Sequence, residues 1–129
     1  MKHILLIEDD YDLAHSILLG IELIKSPRIK TEVEYEGVSA LARVQSAPAP
    51  DLLILDMHLP NVAGQDIYEA IRQKAPDCKV VIATADVRLT REIDERLGDW
   101  EHLPPPDAVF AKPFSLIEFV DSLRALLKN

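Results

Sequence analysis

The chain has one cysteine, Cys78, and with no second thiol an internal disulfide is excluded. That usage fits a reducing cytoplasm, and Cys78 itself is expected as a small buried residue at a strand edge. Long apolar runs are missing too. Nothing approaches the ~18 consecutive apolar residues of a membrane span, so membrane insertion is not expected. The opening MKHILLIEDD puts acids directly after its short apolar stretch, where a secretory signal would carry a small-residue cleavage site. Positive charge is scarce: 14 Lys and Arg face 22 Asp and Glu, for a net charge of −8. An acidic surface is repelled by phosphate backbones, so direct nucleic-acid binding is not expected. Repeats and low-complexity segments are absent, and PPP at 104–106 is too short for an interdomain linker. With 48% hydrophobic and 28% charged residues, the chain reads as one globular domain over 1–129, long enough for a sizeable core.

Five short apolar runs punctuate it: HILLI (3–7), TEVEYE (31–36), LLILD (52–56), VVIAT (80–84) and AVFAK (108–112). The first, third and fourth are nearly all aliphatic, as central parallel strands covered on both faces require. The second alternates, with Val33 and Tyr35 inward and three glutamates outward, as on an edge strand. Between the runs the period becomes helical. Leu13, Ile17, Ile21 and Ile24 share one face, with Pro27 as a stop. Leu41 and Val44 mark a short second helix, and Ile67 and Ile71 a third that ends by Pro76. Leu89, Ile93 and Leu97 mark a fourth, with Gly98 as its cap, and Leu116 to Leu127 a fifth that opens on a capping box of Ser115 and Glu118. Strand and helix alternate five times, which predicts an α/β fold with a parallel sheet and right-handed crossovers.

In such sheets ligands bind at the carboxyl ends of the strands, near the point where strand order reverses. Glu8, Asp9 and Asp10 end the first strand and Asp56 the third. If those strands are neighbours, the acids meet in one crevice and call for a cation or for protonation. Two like charges 4 Å apart repel by about 4 kcal/mol at an effective dielectric of 20. Oxygen-only ligands at an open site favour Mg²⁺ over Zn²⁺. The fourth strand ends in the hydroxyl of Thr84 and the fifth in the ammonium of Lys112. A carboxylate nucleophile, a metal, a hydroxyl and an ammonium are together what phosphoryl transfer to a carboxylate requires.

These residues, carried by ILLIEDD, LLILDMHLPNVAG, VVIATAD and AKPF, resemble the receiver domains of two-component response regulators over essentially the whole chain. The resemblance implies a doubly wound, flavodoxin-like (βα)₅ fold with strand order 2-1-3-4-5, similar to the chemotaxis receiver. Asp56 is then the implied phospho-acceptor, with Thr84 and Lys112 on the phosphoryl oxygens. Mg²⁺ is implied at Asp9 and Asp56, at Glu8 mainly through water, and at the backbone carbonyl of His58. The side chains at His58 and Asp86 would flank the phosphoryl group, and the Lys112–Pro113 peptide is expected to be cis. The implied function is a phosphorelay switch that catalyses only its own phosphorylation and dephosphorylation. Its partners would be a sensor histidine kinase or histidine phosphotransfer protein, and a downstream protein met through the face of the fourth helix, fifth strand and fifth helix. No effector domain is expected within 1–129.

Three features depart from the family's pattern. The segment KSPRIKTE is a few residues longer than usual. GDWEHLPPPDA is longer as well and lacks the usual Gly-Ala before the strand. The position three before the lysine, usually an aromatic switch, holds Val109 with Phe110 beside it on the opposite face, so coupling is expected through residues 85–89 instead. Two other readings share the fold. A pseudo-receiver would bind partners without being phosphorylated. An aspartyl-phosphate phosphatase would commonly carry a second Asp two residues after its nucleophile, where this chain has His58.

Overall fold

A computed structural model of the protein describes residues 1–85 and 103–128. Its strands are β1 (Lys2–Ile7), β2 (Ile29–Glu34), β3 (Leu52–Asp56), β4 (Lys79–Thr84) and β5 (Ala108–Ala111). Its helices are α1 (Tyr11–Glu22), α2 (Gly37–Val44), α3 (Gly64–Lys74) and the C-terminal α4 (Leu116–Leu126). The helix expected on Leu89, Ile93 and Leu97, its cap Gly98, and Asp86 lie outside the described residues. Among the described residues no helix is long and apolar enough to cross a membrane.

All five strands run parallel in the order β2-β1-β3-β4-β5, as expected. Aliphatic runs make this possible because side chains alternate across a strand and both faces must be covered. Leu6, Ile54 and Val81 point to one side, where α1 and α4 supply Ile17, Ile21, Phe119 and Leu123. Leu5, Leu53 and Ile82 point to the other, where α2 and α3 supply Ala40, Val44, Ile67 and Ile71. Each fully buried Leu or Ile contributes about 1.5–3 kcal/mol from leaving water. Cys78 is buried just ahead of β4.

Boundaries differ most from the sequence reading at β2 and at the first helix, and elsewhere by a single residue at strand ends. β2 begins at Ile29, two residues before TEVEYE, because its ladder with β1 starts at Lys2 opposite Ile29. Its alternation does not separate core from solvent: Val33 and Tyr35 pack on the α1 side, whereas Glu32 faces an ion pair with Arg43 of α2. The first helix ends at Glu22, capped by Leu23, well before Pro27, and Ile24 is buried beyond the helix. The Ser115 hydroxyl accepts from the Glu118 N–H, the expected half of the α4 capping box. Val109 and Phe110 do point to opposite faces. Val109 joins the α2–α3 side, and Phe110 packs against Phe119 and Phe114 with ring centroids 5.0 and 5.7 Å away.

Candidate functional site

The chain leaves β1 for β2 on one side and enters β3 on the other, so strand order reverses between β1 and β3. Ile7 lies opposite Leu55, which brings the residues after β1 beside the end of β3. Carboxylate oxygens of Glu8, Asp9 and Asp56 lie within 4.8 Å of one another. Glu8 and Asp56 are buried and Asp9 is exposed, so the cluster opens to solvent on the Asp9 side.

Lys112 reaches this cluster from the end of β5. Its Nζ sits 2.7 Å from Glu8 Oε1 and 3.4 Å from Asp56 Oδ2. Its N–H donates to the Thr84 carbonyl at 2.8 Å, which extends the β4–β5 ladder one residue past β5. The Lys112–Pro113 peptide is cis, as expected. Thr84, fully buried, closes β4 one residue beyond Ala83, the register partner of Asp56. Predicted residues from three separate segments, Glu8 and Asp9, Asp56, and Lys112, therefore meet in one crevice, and Thr84 ends the strand beside it.

The loop after β3 holds Asp56 by its neighbours. Asp56 Oδ1 accepts from the His58 N–H at 2.9 Å, a turn closed by a carboxylate. His58 then bridges to Ala63, and Asn61 between them takes a positive φ of 70°. Asn tolerates that conformation better than most residues. Gly64, which opens α3, must be glycine for lack of space. A Cβ there would sit 2.6 Å from the Met57 Cα and 2.8 Å from its carbonyl oxygen, both backbone atoms beside Asp56.

Asp10 has a different task from its neighbours. Its side chain accepts from the N–H groups of Asp12 and Leu13 at 3.0 and 3.1 Å and so caps α1. The sequence groups it with Glu8 and Asp9 at the end of the first strand, although an Asp just ahead of the helical apolar period is a recognisable capping signal.

Electrostatics here are strained by anion crowding. Burial pushes the Glu8 carboxyl up to about 8 from an ordinary 4.5, and its hydrogen bond with Asp56 pushes the same way, against the pull of Lys112. Burial disfavours the Lys112 ammonium, but the Glu8 and Asp56 carboxylates overcome this and raise it above its ordinary value. Three carboxylates face one ammonium, an excess of two negative charges when all are ionised. Oxygen-only donors with that excess fit a hard divalent cation such as Mg²⁺.

The sequence model of the response regulator receiver domain matches residues 4–95. This chain belongs to the response regulator receiver family. Among relatives of the receiver, response regulator ArlR of Staphylococcus epidermidis is 31% identical over 129 residues. The chain spans 54% of that protein's length, and 19% of a 33%-identical Haloferax volcanii protein. Two solved receiver structures resemble it throughout. The non-phosphorylated HemR receiver domain of Leptospira biflexa is 27% identical with a TM-score of 0.75, covering 100% of this chain and 96% of that one. Response regulator TrrA of Thermotoga maritima, solved in complex with Mg²⁺–BeF, is 26% identical with a TM-score of 0.72, covering 98% of this chain and all of that one. Receivers are signalling switches that meet histidine kinases and downstream targets.

Proposed function

We propose that this receiver is a phosphorelay switch that takes a phosphoryl group onto Asp56 from a sensor histidine kinase or a histidine phosphotransfer protein. The single observation that carries the reading is the Lys112 ammonium held between Glu8 and Asp56 at 2.7 and 3.4 Å. A carboxylate oxygen of Asp56 attacks phosphorus, the P–N bond of the phosphohistidine breaks, and the departing imidazole takes up a proton. Asp56 is suited to this because its other oxygen is tied to the His58 N–H, which fixes the carboxylate plane. Lys112 offsets charge on the phosphoryl oxygens and the Thr84 hydroxyl donates to one of them. Glu8, Asp9, Asp56 and the His58 carbonyl would hold Mg²⁺, which when bound supplies further charge compensation at those oxygens.

The domain catalyses only its own modification and its reversal, and residues 1–129 act as one receiver unit. The cytoplasm is its expected compartment. Output goes to a protein partner through the face around β5 and α4. Phe110 is already packed against Phe114 and Phe119, and Val109 has no ring, so an aromatic rotation on β5 does not transmit the signal. Incubation with Mg²⁺ and acetyl phosphate, or with a phosphohistidine donor, tests the reading. A switch gains one phosphate per chain. Continuous phosphate release would identify a phosphatase, and no uptake a binding module.

A further inference from the structure

β5 has the least support of the five strands. It is four residues long, pairs with β4 alone, and has no fully buried residue. It nevertheless delivers Lys112. Three prolines precede it at 104–106, and proline has no N–H, so residue 107 is the first after them that can donate to β4. Asp107 is the first residue able to donate, and it takes both main-chain groups of Val80. Its N–H donates to the Val80 carbonyl at 2.8 Å, and its carboxylate accepts from the Val80 N–H at 2.8 Å. From there the register runs Ala108 opposite Val81 to Ala111 opposite Thr84, and the next residue is Lys112.

The Asp107 carboxylate is itself held. Arg72, a buried arginine on α3, places Nη2 3.6 Å from it. The same guanidinium donates to the Cys78 carbonyl at 2.8 Å and the Pro105 carbonyl at 3.0 Å, and Nε to the Tyr68 hydroxyl at 3.1 Å. The Tyr68 hydroxyl donates to the Pro104 carbonyl. Side chains of α3 thus satisfy the carbonyls of a proline segment that has no N–H to donate to β4.

We infer that Asp107, clamped by Arg72, is a positioning residue for Lys112: it sets the register of β5 and so holds the ammonium between Glu8 and Asp56. Its kinetic consequence rests on the proposed phosphoryl transfer. A slip of one residue moves a strand by about 3.3 Å and turns each side chain to the other face, which would take Lys112 out of the crevice.

The test compares Asp107→Ala and Asp107→Asn in the full chain, each with Lys112 present and with Lys112→Ala, by the rate of acetyl phosphate labelling in Mg²⁺. Asp107→Ala should slow labelling roughly ten- to a hundredfold when Lys112 is present, the scale of a small misplacement of a reacting group. It should have less than about a twofold effect in Lys112→Ala, because the group it positions is gone. Asp107→Asn, whose amide oxygen can accept the same Val80 N–H, should recover most of the rate. Equal slowing in both backgrounds would overturn the inference. Should Asp107→Ala fail to fold, Arg72→Gln carries the same comparison, with a severalfold slowing expected only beside Lys112. A crystal structure of the folded variant decides independently of any labelling. Loss of the Lys112–Glu8 contact supports the inference, and its retention refutes it. An unmodified chain that takes no phosphate would sink the phosphoryl-transfer reading while leaving this structural comparison intact.

Discussion

Replacing Glu8 by glutamine should make the metal-free protein more stable at alkaline pH. Glu8 is buried beside Asp56, and its carboxyl is pushed up to about 8 from an ordinary 4.5. Between those two values the folded protein holds a proton that the unfolded chain has released. Unfolding therefore releases a proton, and stability falls as pH rises through that window. A shift of this size is a linkage of several kcal/mol at about 1.4 kcal/mol per unit. The crevice is open beside exposed Asp9, and water drawn to the new anion recovers part of that cost. Above pH 8, Glu8→Gln should then exceed the parent by about 2 kcal/mol, or about 6–10 °C in Tm for a chain of this length. At about pH 4, below the ordinary carboxyl value, Glu8 is largely protonated in the folded and the unfolded chain alike, and the two proteins should melt together. Millimolar Mg²⁺ should reverse the alkaline order, since binding to the folded state stabilises the parent. The assay is thermal unfolding in EDTA from about pH 4 to 9, repeated with Mg²⁺ in place of EDTA. Parallel pH curves for parent and variant would refute the argument.

Gly64→Ala should destabilise by about 1–3 kcal/mol, because the new Cβ meets Met57 backbone that cannot move without shifting Asp56; denaturant unfolding and the labelling rate should both register it. Asp9→Asn should weaken Mg²⁺ binding well beyond Asp10→Asn, since Asp9 shares the carboxylate cluster while Asp10 caps α1 and Asn caps equally well; equal affinities by titration would contradict this. Cys78 is buried and burial pushes its thiol up to about 12, so iodoacetamide at pH 8 should label the folded protein far more slowly than the urea-unfolded chain. Comparable rates would show that the β4 entry opens readily.

The strand–helix alternation and most of the crevice were legible because aliphatic runs and the polar residues that end them are local signals. LLILD predicts β3 with its boundaries, and its terminal Asp56 meets the acids after β1 once the sheet forms. Harder to read were features set by partners distant in sequence. Glu32 reads as outward on an alternating strand, but α2 covers that face and brings Arg43 to it. Nothing near Arg72 in sequence marks its role, because its partners are Cys78, Pro105 and Asp107, brought to it by the β4–β5 pairing. Asp107 carries no local motif; only the three prolines before it mark it as the first residue there able to donate to β4. The Ser115 cap was legible, whereas the Asp10 cap was masked by the denser acid cluster around it.

The most direct test of the account is mass spectrometry of the chain after incubation with Mg²⁺ and a phosphohistidine donor, alongside Asp56→Asn. The account predicts a single added phosphate that maps to the peptide containing Asp56 and is absent from the variant. Stoichiometric, persistent labelling of Asp56→Asn, or a phosphate mapped to another residue of the unmodified chain, would contradict it.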